Sequence, residues 1–269
     1  MKKIIAFAVA AAMLPGLMSC SSDAYRTAQF TYADYVPLEV CDSLAFAIDQ
    51  SFVYFKSVEA GRAVRDALND EIVQLIFGET FTGVPLEEAS SVYIGVQVEN
   101  YQRDAGSEYE SLAESGDNNP GAFCNWQSIL TGNLGNSYKD RYVTYNFYES
   151  LYFGGAHGSF RVAYRILDLQ TGRAVSERDI FAQGYEEPVS EMLVEAIYRM
   201  YDETEGGEEY LDSIYFGDVH PNGNVTISEE GVSWCFNAYE IAPYYIGSID
   251  VTLSWAQLSG YLSNEFNFE

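Results

Sequence analysis

Only two histidines stand among the 269 residues, His157 and His220, and they lie 63 positions apart. His157 sits in Gly154-Gly155-Ala156-His157-Gly158, where glycines admit positive φ and close backbone approach, so the first use of the segment is a tight turn. An imidazole held there can fasten nearby carbonyls, touch a ligand or move a proton. Catalysis is the least favoured of the three, because one other histidine is all that could assist. Ser159 completes no triad, since neither a G-x-S-x-G elbow nor an S-x-x-K pair occurs. Zinc proteolysis asks for H-E-x-x-H and a phosphate cradle for G-x-x-x-x-G-K, and both are missing. Glycoside cleavage needs two carboxylates about 5 to 10 Å apart, and 40 acidic residues leave that pair unchosen. The stretches Asp117-Asn118-Asn119 and Asp202 to Glu209 lack the EF-hand ligand order and read as solvated acidic loops. No metal and no other cofactor is expected. Tyr244 and Tyr245, just past Pro243, fall in a turn that can present rings to a ligand. Gly154, Gly155, His157, Tyr244 and Tyr245 are therefore the candidate binding residues.

What must position them is a chain of 48% apolar and 15% aromatic residues, too rich in core formers for disorder. Lys2 and Lys3 precede an apolar run from Ile4 to Leu14 that is too short to anchor in a bilayer and ends at Pro15-Gly16, so residues 1–19 read as a signal peptide. Leu17-Met18-Ser19-Cys20 resembles a bacterial lipobox, which makes Cys20 the expected lipidation site and first residue of the mature protein. Cleavage near Ser22 in a secreted protein is the alternative. Residues 20–26 then serve as a linker, and the protein is expected in the bacterial cell envelope, held by acyl chains without spanning. Formal charge is −26, with 14 Lys and Arg against 40 Asp and Glu; losing Lys2 and Lys3 makes it −28. Such a balance excludes nucleic acid bound through its phosphates. Cys41, Cys124 and Cys235 permit at most one internal bridge, and their apolar neighbours favour buried free thiols.

Aromatic alternation predicts strands over Gln29–Tyr35 and Leu44–Phe55, and the three-to-four spacing of Val64, Leu68, Ile72, Leu75 and Ile76 predicts a helix over Arg62–Phe77 stopped by Gly78. Asn100 to Gly121 reads as a helical turn region or a long acidic loop. Strands follow over Trp126–Leu130, Tyr142–Phe153 and Phe160–Leu169, separated by Gly132-Asn133 with Gly135-Asn136, then Gly154-Gly155, with Thr171-Gly172 after the last. Pro188 opens a second amphipathic helix through Met200, and short strands lie near Val225–Ile227, Val232–Phe236 and Ile249–Leu253. The expected fold class is α+β, a largely antiparallel sheet with two main amphipathic helices packed on it.

Two blocks carry a resemblance. Tyr152-Phe153-Gly154-Gly155-Ala156-His157-Gly158, followed by Ile166-Leu167-Asp168-Leu169-Gln170-Thr171-Gly172-Arg173 and Asp179-Ile180-Phe181, is similar to the central signature of the RsiV-type domain, also called domain of unknown function 3298. Gly231-Val232-Ser233-Trp234-Cys235-Phe236-Asn237-Ala238-Tyr239-Glu240-Ile241-Ala242-Pro243-Tyr244 resembles its C-terminal strand and turn. The resemblance implies an RsiV-like domain over 132–269, preceded over 27–131 by a segment similar to the PdaC/RsiV-type partner. Relatives of this kind include the extracellular part of a lysozyme-sensing anti-sigma factor and a segment attached to a peptidoglycan deacetylase. The expectation is a non-enzymatic envelope lipoprotein whose partner is a cationic protein such as lysozyme. A peptidoglycan-binding or other glycan-binding module accessory to wall enzymes is the alternative, and a wall-directed hydrolase or deacetylase the third reading.

Overall fold

Alternating apolar residues form β1 (Tyr25–Leu38) and β2 (Cys41–Val58), which pair antiparallel along nearly their whole length in a computed structural model that describes residues 24–116, 119–202 and 207–266. The leader and Cys20 lie outside the described residues. The chain then crosses over through α1 (Arg62–Phe77) and α2 (Leu86–Ser115) and returns, after the single turn α3 (Gly121–Cys124), as β3 (Trp126–Tyr138), parallel to β2. β4 (Tyr142–Tyr152), β5 (Ser159–Asp168) and the two-residue β6 (Ala174–Val175) complete a six-stranded sheet in sequence order, antiparallel except for β2 and β3. The expected α+β class is the one observed. One sheet thus runs unbroken across positions 131 and 132. β1 forms its outer edge.

Two features depart from the sequence reading. The acidic stretch after Asn100 is the second half of α2, a third long helix, whose few inward residues Tyr101 and Ala105 are buried while its Glu and Asp side chains face water. Its apolar stripe is too thin to register as amphipathic, and packing on the sheet supplies what the pattern lacks. Gly132 and Gly135, expected in a turn, lie inside β3 instead. A Cβ on Gly132 would meet the Tyr145 hydroxyl at 2.2 Å, and one on Gly135 the Asn146 amide at 2.3 Å. These glycines make room for side chains of β4. The actual turn uses Lys139 and Asp140, both left-handed at φ 50° and 49°.

The helix face of the sheet carries one apolar cluster around Phe52, Leu68, Ile72, Tyr145 and Phe147 and a second around Phe46, Tyr101, Cys124 and Trp126. The opposite face is covered by a three-stranded antiparallel sheet of β7 (Val225–Ile227), β8 (Gly231–Phe236) and β9 (Ile249–Ser254), which follows the four-residue α4 (Glu177–Ile180), α5 (Glu186–Asp202) and α6 (Gly207–Leu211) in the chain. Val225, Val232, Trp234, Val251 and Leu253 pack with Val189, Leu193 and Ile197 of α5 in a third cluster, which also takes in Tyr138, Tyr142 and Ile166 of the large sheet. The other side of the small sheet is polar: the Thr226 hydroxyl meets that of Thr144 at 2.7 Å, both buried.

Beyond its short pairing with β6, the outer edge of β5 meets no strand among the described residues, and two side-chain amides take the place of a neighbouring strand. The Val162 N–H donates to Asn237 Oδ1 at 2.7 Å and the Tyr164 N–H to Asn224 Oδ1 at 2.8 Å; both Asn Nδ2 groups donate to the Val162 carbonyl at 3.0 Å.

Asp168, in the first signature block, is buried and structural. It accepts from Arg141 Nη2 at 2.7 Å and Nε at 3.2 Å and from the Gln170 N–H at 2.9 Å. Burial opposes its ionisation, but the bonds from Arg141, Gln170 and Thr171 outweigh it and hold the carboxyl below its ordinary range. A carboxyl depressed by folding contributes fully above its unfolded pKa, and the contribution is lost as pH falls through the folded value. Asp168→Asn is expected to cost roughly 2 kcal/mol at pH 7, an amount discounted because Arg141 is partly solvated. In urea titrations the gap between variant and parent should close as pH drops below about 4; a gap that widens there contradicts this role.

Candidate functional site

The turn between β4 and β5 is fixed from below by α3. The Gly155 N–H donates to the Ala122 carbonyl at 3.2 Å, and the Tyr152 hydroxyl lies against that carbonyl and, at 2.9 Å, the carbonyl of Gly155. Gly154 has φ 86°, and a Cβ there would sit 2.3 Å from the Phe123 carbonyl oxygen, so this position is glycine for both conformation and space. Gly155, at φ 98°, has open space around it.

His157 stands exposed on this turn. Its Nδ1 is 2.8 Å from the Gly158 carbonyl; a carbonyl only accepts, so the proton of that bond belongs to Nδ1 and Nε2 of the neutral ring is an acceptor. The Tyr244 hydroxyl donates to the same carbonyl at 2.9 Å. The two rings stack at 4.7 Å with 29° between planes, and Phe160 and the 62% exposed Tyr239 flank Tyr244 at 5.5 and 5.7 Å. The first block's histidine and the second block's tyrosine, distant in sequence, thus form one aromatic cluster.

Tyr245 faces elsewhere. It is 69% exposed, and its hydroxyl is 2.6 Å from Ser213 Oγ, beside α6. The loop Tyr239–Ile246 therefore separates the paired tyrosines between two surfaces, and Gly154, Gly155, His157 and Tyr244 share a site that Tyr245 does not. The surface reached by Tyr245 was not foreseen. Tyr198 stacks on Phe216 at 4.3 Å and Tyr201 on Tyr210 at 5.4 Å, and the Tyr215 N–H donates to the Ile241 carbonyl at 2.7 Å, which joins α5, α6 and the loop. On α5, Glu187, Glu191, Glu195, Tyr198 and Asp202 follow at helical spacing and are all exposed. Among the described residues of 186–218 there are nine exposed Asp and Glu and one cation, Arg199, which is paired with Glu195. The signal available in sequence was this long run with a single basic residue.

A cleft of about 440 Å³ also opens where α1 and the start of α2 meet β2, lined by Tyr54, Ile72, Val84 and Leu86 with Asp70 and Glu87. Asp70 is already engaged, accepting from the Gly83 N–H at 2.5 Å and Gln74 Nε2 at 3.0 Å. Among the described residues no group of three or more His, Cys, Asp and Glu is arranged to hold a metal ion, and no helix is long and apolar enough to cross a membrane.

Residues 178–256 match the family model described as "Protein of unknown function (DUF3298)". The fold is similar to the crystal structure of a member of that family from Bacteroides fragilis NCTC 9343, with a TM-score of 0.80 at 20% identity over 89% of this chain and 94% of that one. It is also similar to a DUF3298 family protein from Pseudomonas aeruginosa PAO1, with a TM-score of 0.59 at 15% identity over 90% and 96%. Among curated proteins no sequence matches the chain.

Gly154→Ala is expected to cost about 2 to 3 kcal/mol in chemical denaturation and Gly155→Ala only about 1, because the second adds backbone strain without a clash. Equal losses at the two positions would contradict the docking of this turn on α3.

Proposed function

We propose that the protein is a lipid-anchored binding protein of the cell envelope, without catalytic activity, that captures a cationic protein on the face made by α5, α6 and the loop Tyr239–Ile246. The observation that carries this reading is that the described residues of 186–218 hold nine exposed carboxylates against one cation, with the stripe Glu187, Glu191 and Glu195 along α5, on the same elements that expose the rings of Tyr198, Tyr210 and Tyr215 and adjoin Tyr245. The stripe Glu187, Glu191 and Glu195 places like charges one helical turn apart, which costs an isolated helix a few tenths of a kcal/mol per pair. A basic partner relieves that repulsion, long-range attraction accelerates its approach, and the tyrosines supply contact area with little rotamer entropy to lose. Lysozyme, suggested by the resemblance, is the partner to try first. Cys20 would carry the acyl chains.

Calorimetric titration with lysozyme is expected to give heat at low salt and weaker binding at physiological salt. Glu187→Gln/Glu191→Gln/Tyr245→Ala should weaken the affinity about tenfold or more, while His157→Ala should leave it unchanged. No heat at either salt overturns the reading. Incorporation of labelled palmitate into the full chain, abolished by Cys20→Ala, tests the anchor.

A glycan reading draws on a different feature, the cluster of His157, Tyr239 and the half-buried Tyr244, whose exposed members His157 and Tyr239 offer rings to a sugar face. Sedimentation with purified cell wall that survives salt and is lost in Tyr239→Ala, with Tyr245→Ala unaffected, would favour it.

A further inference from the structure

We propose, on the premise of that lipid anchor, that the end of the large sheet where β1 begins is a membrane-facing surface, whose Arg26, Lys56 and Arg173 rest on the anionic headgroups of the bilayer that holds Cys20. The Glu59 N–H donates to the Ala24 carbonyl at 2.8 Å, and Tyr25 pairs with Val58, so the chain enters the fold beside the end of β2. Ala24 is four residues after Cys20, a span of at most about 14 Å. Acyl chains on that cysteine therefore bring this end to the lipid surface. The β4–β5 turn and the loop Tyr239–Ile246 sit at the far end, joined by the Tyr244 hydroxyl bond to the Gly158 carbonyl, and so project away from the bilayer.

The same end gathers the scarce cations. β3, parallel to β2, finishes at Tyr138; Tyr138 pairs with Tyr142 and Tyr142 with Asp168, which places Lys139, Arg141 and the turn to Arg173 beside the end of β2. α1 starts here as well, since a Cβ on Gly172 would lie 2.9 Å from Ala67 Cβ and 3.0 Å from the Val64 carbonyl oxygen. With Arg26, Lys56, Arg62 and Arg65, these make seven of the twelve Lys and Arg from Cys20 onward. Asp66 engages Arg62 and Arg65, and Asp168 and Glu265 hold Arg141. Exposed Glu59, Asp140 and Glu229 bring this end near neutrality, so the large negative excess lies elsewhere. Arg26, Lys56 and Arg173 are exposed and form no ion pair among the described residues, whereas Arg103, Arg161 and Arg199, which lie elsewhere, are each paired. β2 extends on the order of 50 Å along the sheet, while charge is screened over about 8 Å at physiological salt. The bilayer therefore senses the near end, where a cation close to an anionic leaflet is worth about fivefold in affinity.

Residues 20–269, which keep every described residue, are given an N-terminal hexahistidine and captured on vesicles carrying a nickel-chelating lipid, in phosphatidylcholine alone or in an equal mixture with anionic phosphatidylglycerol. The parent is expected to bind the anionic vesicles about tenfold more tightly than the neutral ones at low salt, with the gain lost at high salt. Arg26→Gln/Lys56→Gln/Arg173→Gln should abolish the gain, whereas Arg103→Gln/Arg161→Gln/Arg199→Gln, equal in charge change, should keep it. Acylation of Lys56 by a membrane-impermeant ester should slow several-fold on the anionic vesicles. Weaker capture on anionic than on neutral vesicles overturns the proposal, as does an equal response of the two triple variants or unchanged acylation of Lys56. Because the tag supplies the tether, this outcome is independent of palmitate labelling at Cys20, which tests the anchor alone.

Discussion

The open edge of β5 is the constraint on which the candidate surfaces depend. Backbone N–H and C=O groups at a sheet edge need partners when another layer covers them, and here the partners are the amides of Asn224 and Asn237. A primary amide offers one acceptor and a donor in nearly the spacing of a peptide group, so each asparagine stands in for a fragment of strand. Asn224 precedes β7 and Asn237 follows β8, so together they bracket the β7–β8 hairpin and fix where the chain leaves β8 before it returns as β9. That exit leads directly into Tyr239, Tyr244 and Tyr245. The distribution of these rings between two surfaces is therefore set by hydrogen bonds made several residues earlier.

Where Thr144 and Tyr164 face the small sheet, the junction between the layers is polar, at a place where a two-sheet protein would ordinarily bury apolar side chains. Thr144 meets Thr226, and the Tyr164 hydroxyl reaches Asp250 at 3.4 Å. Desolvation raises the pKa of Asp250, of Tyr164 and of Cys235, which adjoin one another, so this corner resists taking on charge. The apolar weight of the second layer is directed the other way, into α5 through Trp234, Val232 and Leu253. Glu177 ties the two parts of that core together, accepting from the Trp234 indole and, at 3.1 Å, from the Tyr185 hydroxyl. The segment recognised by the family model, 178–256, covers most of this layer.

Elements whose burial is one-sided were legible in the sequence. α1 ends where the spacing of Leu68, Ile72 and Ile76 and the stop at Gly78 place its end, and α5 keeps its face through Val189, Leu193 and Ile197. α2 was obscured because its second half buries Tyr101 and Ala105 and little else, so charge on the outer surface masked the helix. Gly132 and Gly135 misled for a different reason: a glycine's permissive backbone and its missing Cβ look alike in sequence, and only the approach of Tyr145 and Asn146 separates them. Around the candidate site, the glycine turn was readable locally. The stacking of His157 on Tyr244 was not, since it depends on how the second layer docks, and neighbouring tyrosines carry no sign of which side each will face.

Among the described residues no strand pairs with the outer flank of the fourteen-residue β1, a length at which an unpaired strand invites a copy of itself. Its ends are spoiled for that purpose by register shifts beside Arg26 and at Pro37, and Asp34 sits within it. Every copy also bears the same excess of negative charge, so like molecules repel before their strands can align. The negative surface thus also protects against fibril growth, and neutralising it, by acid or by saturation with polycation, would expose a seam along which these molecules can polymerise.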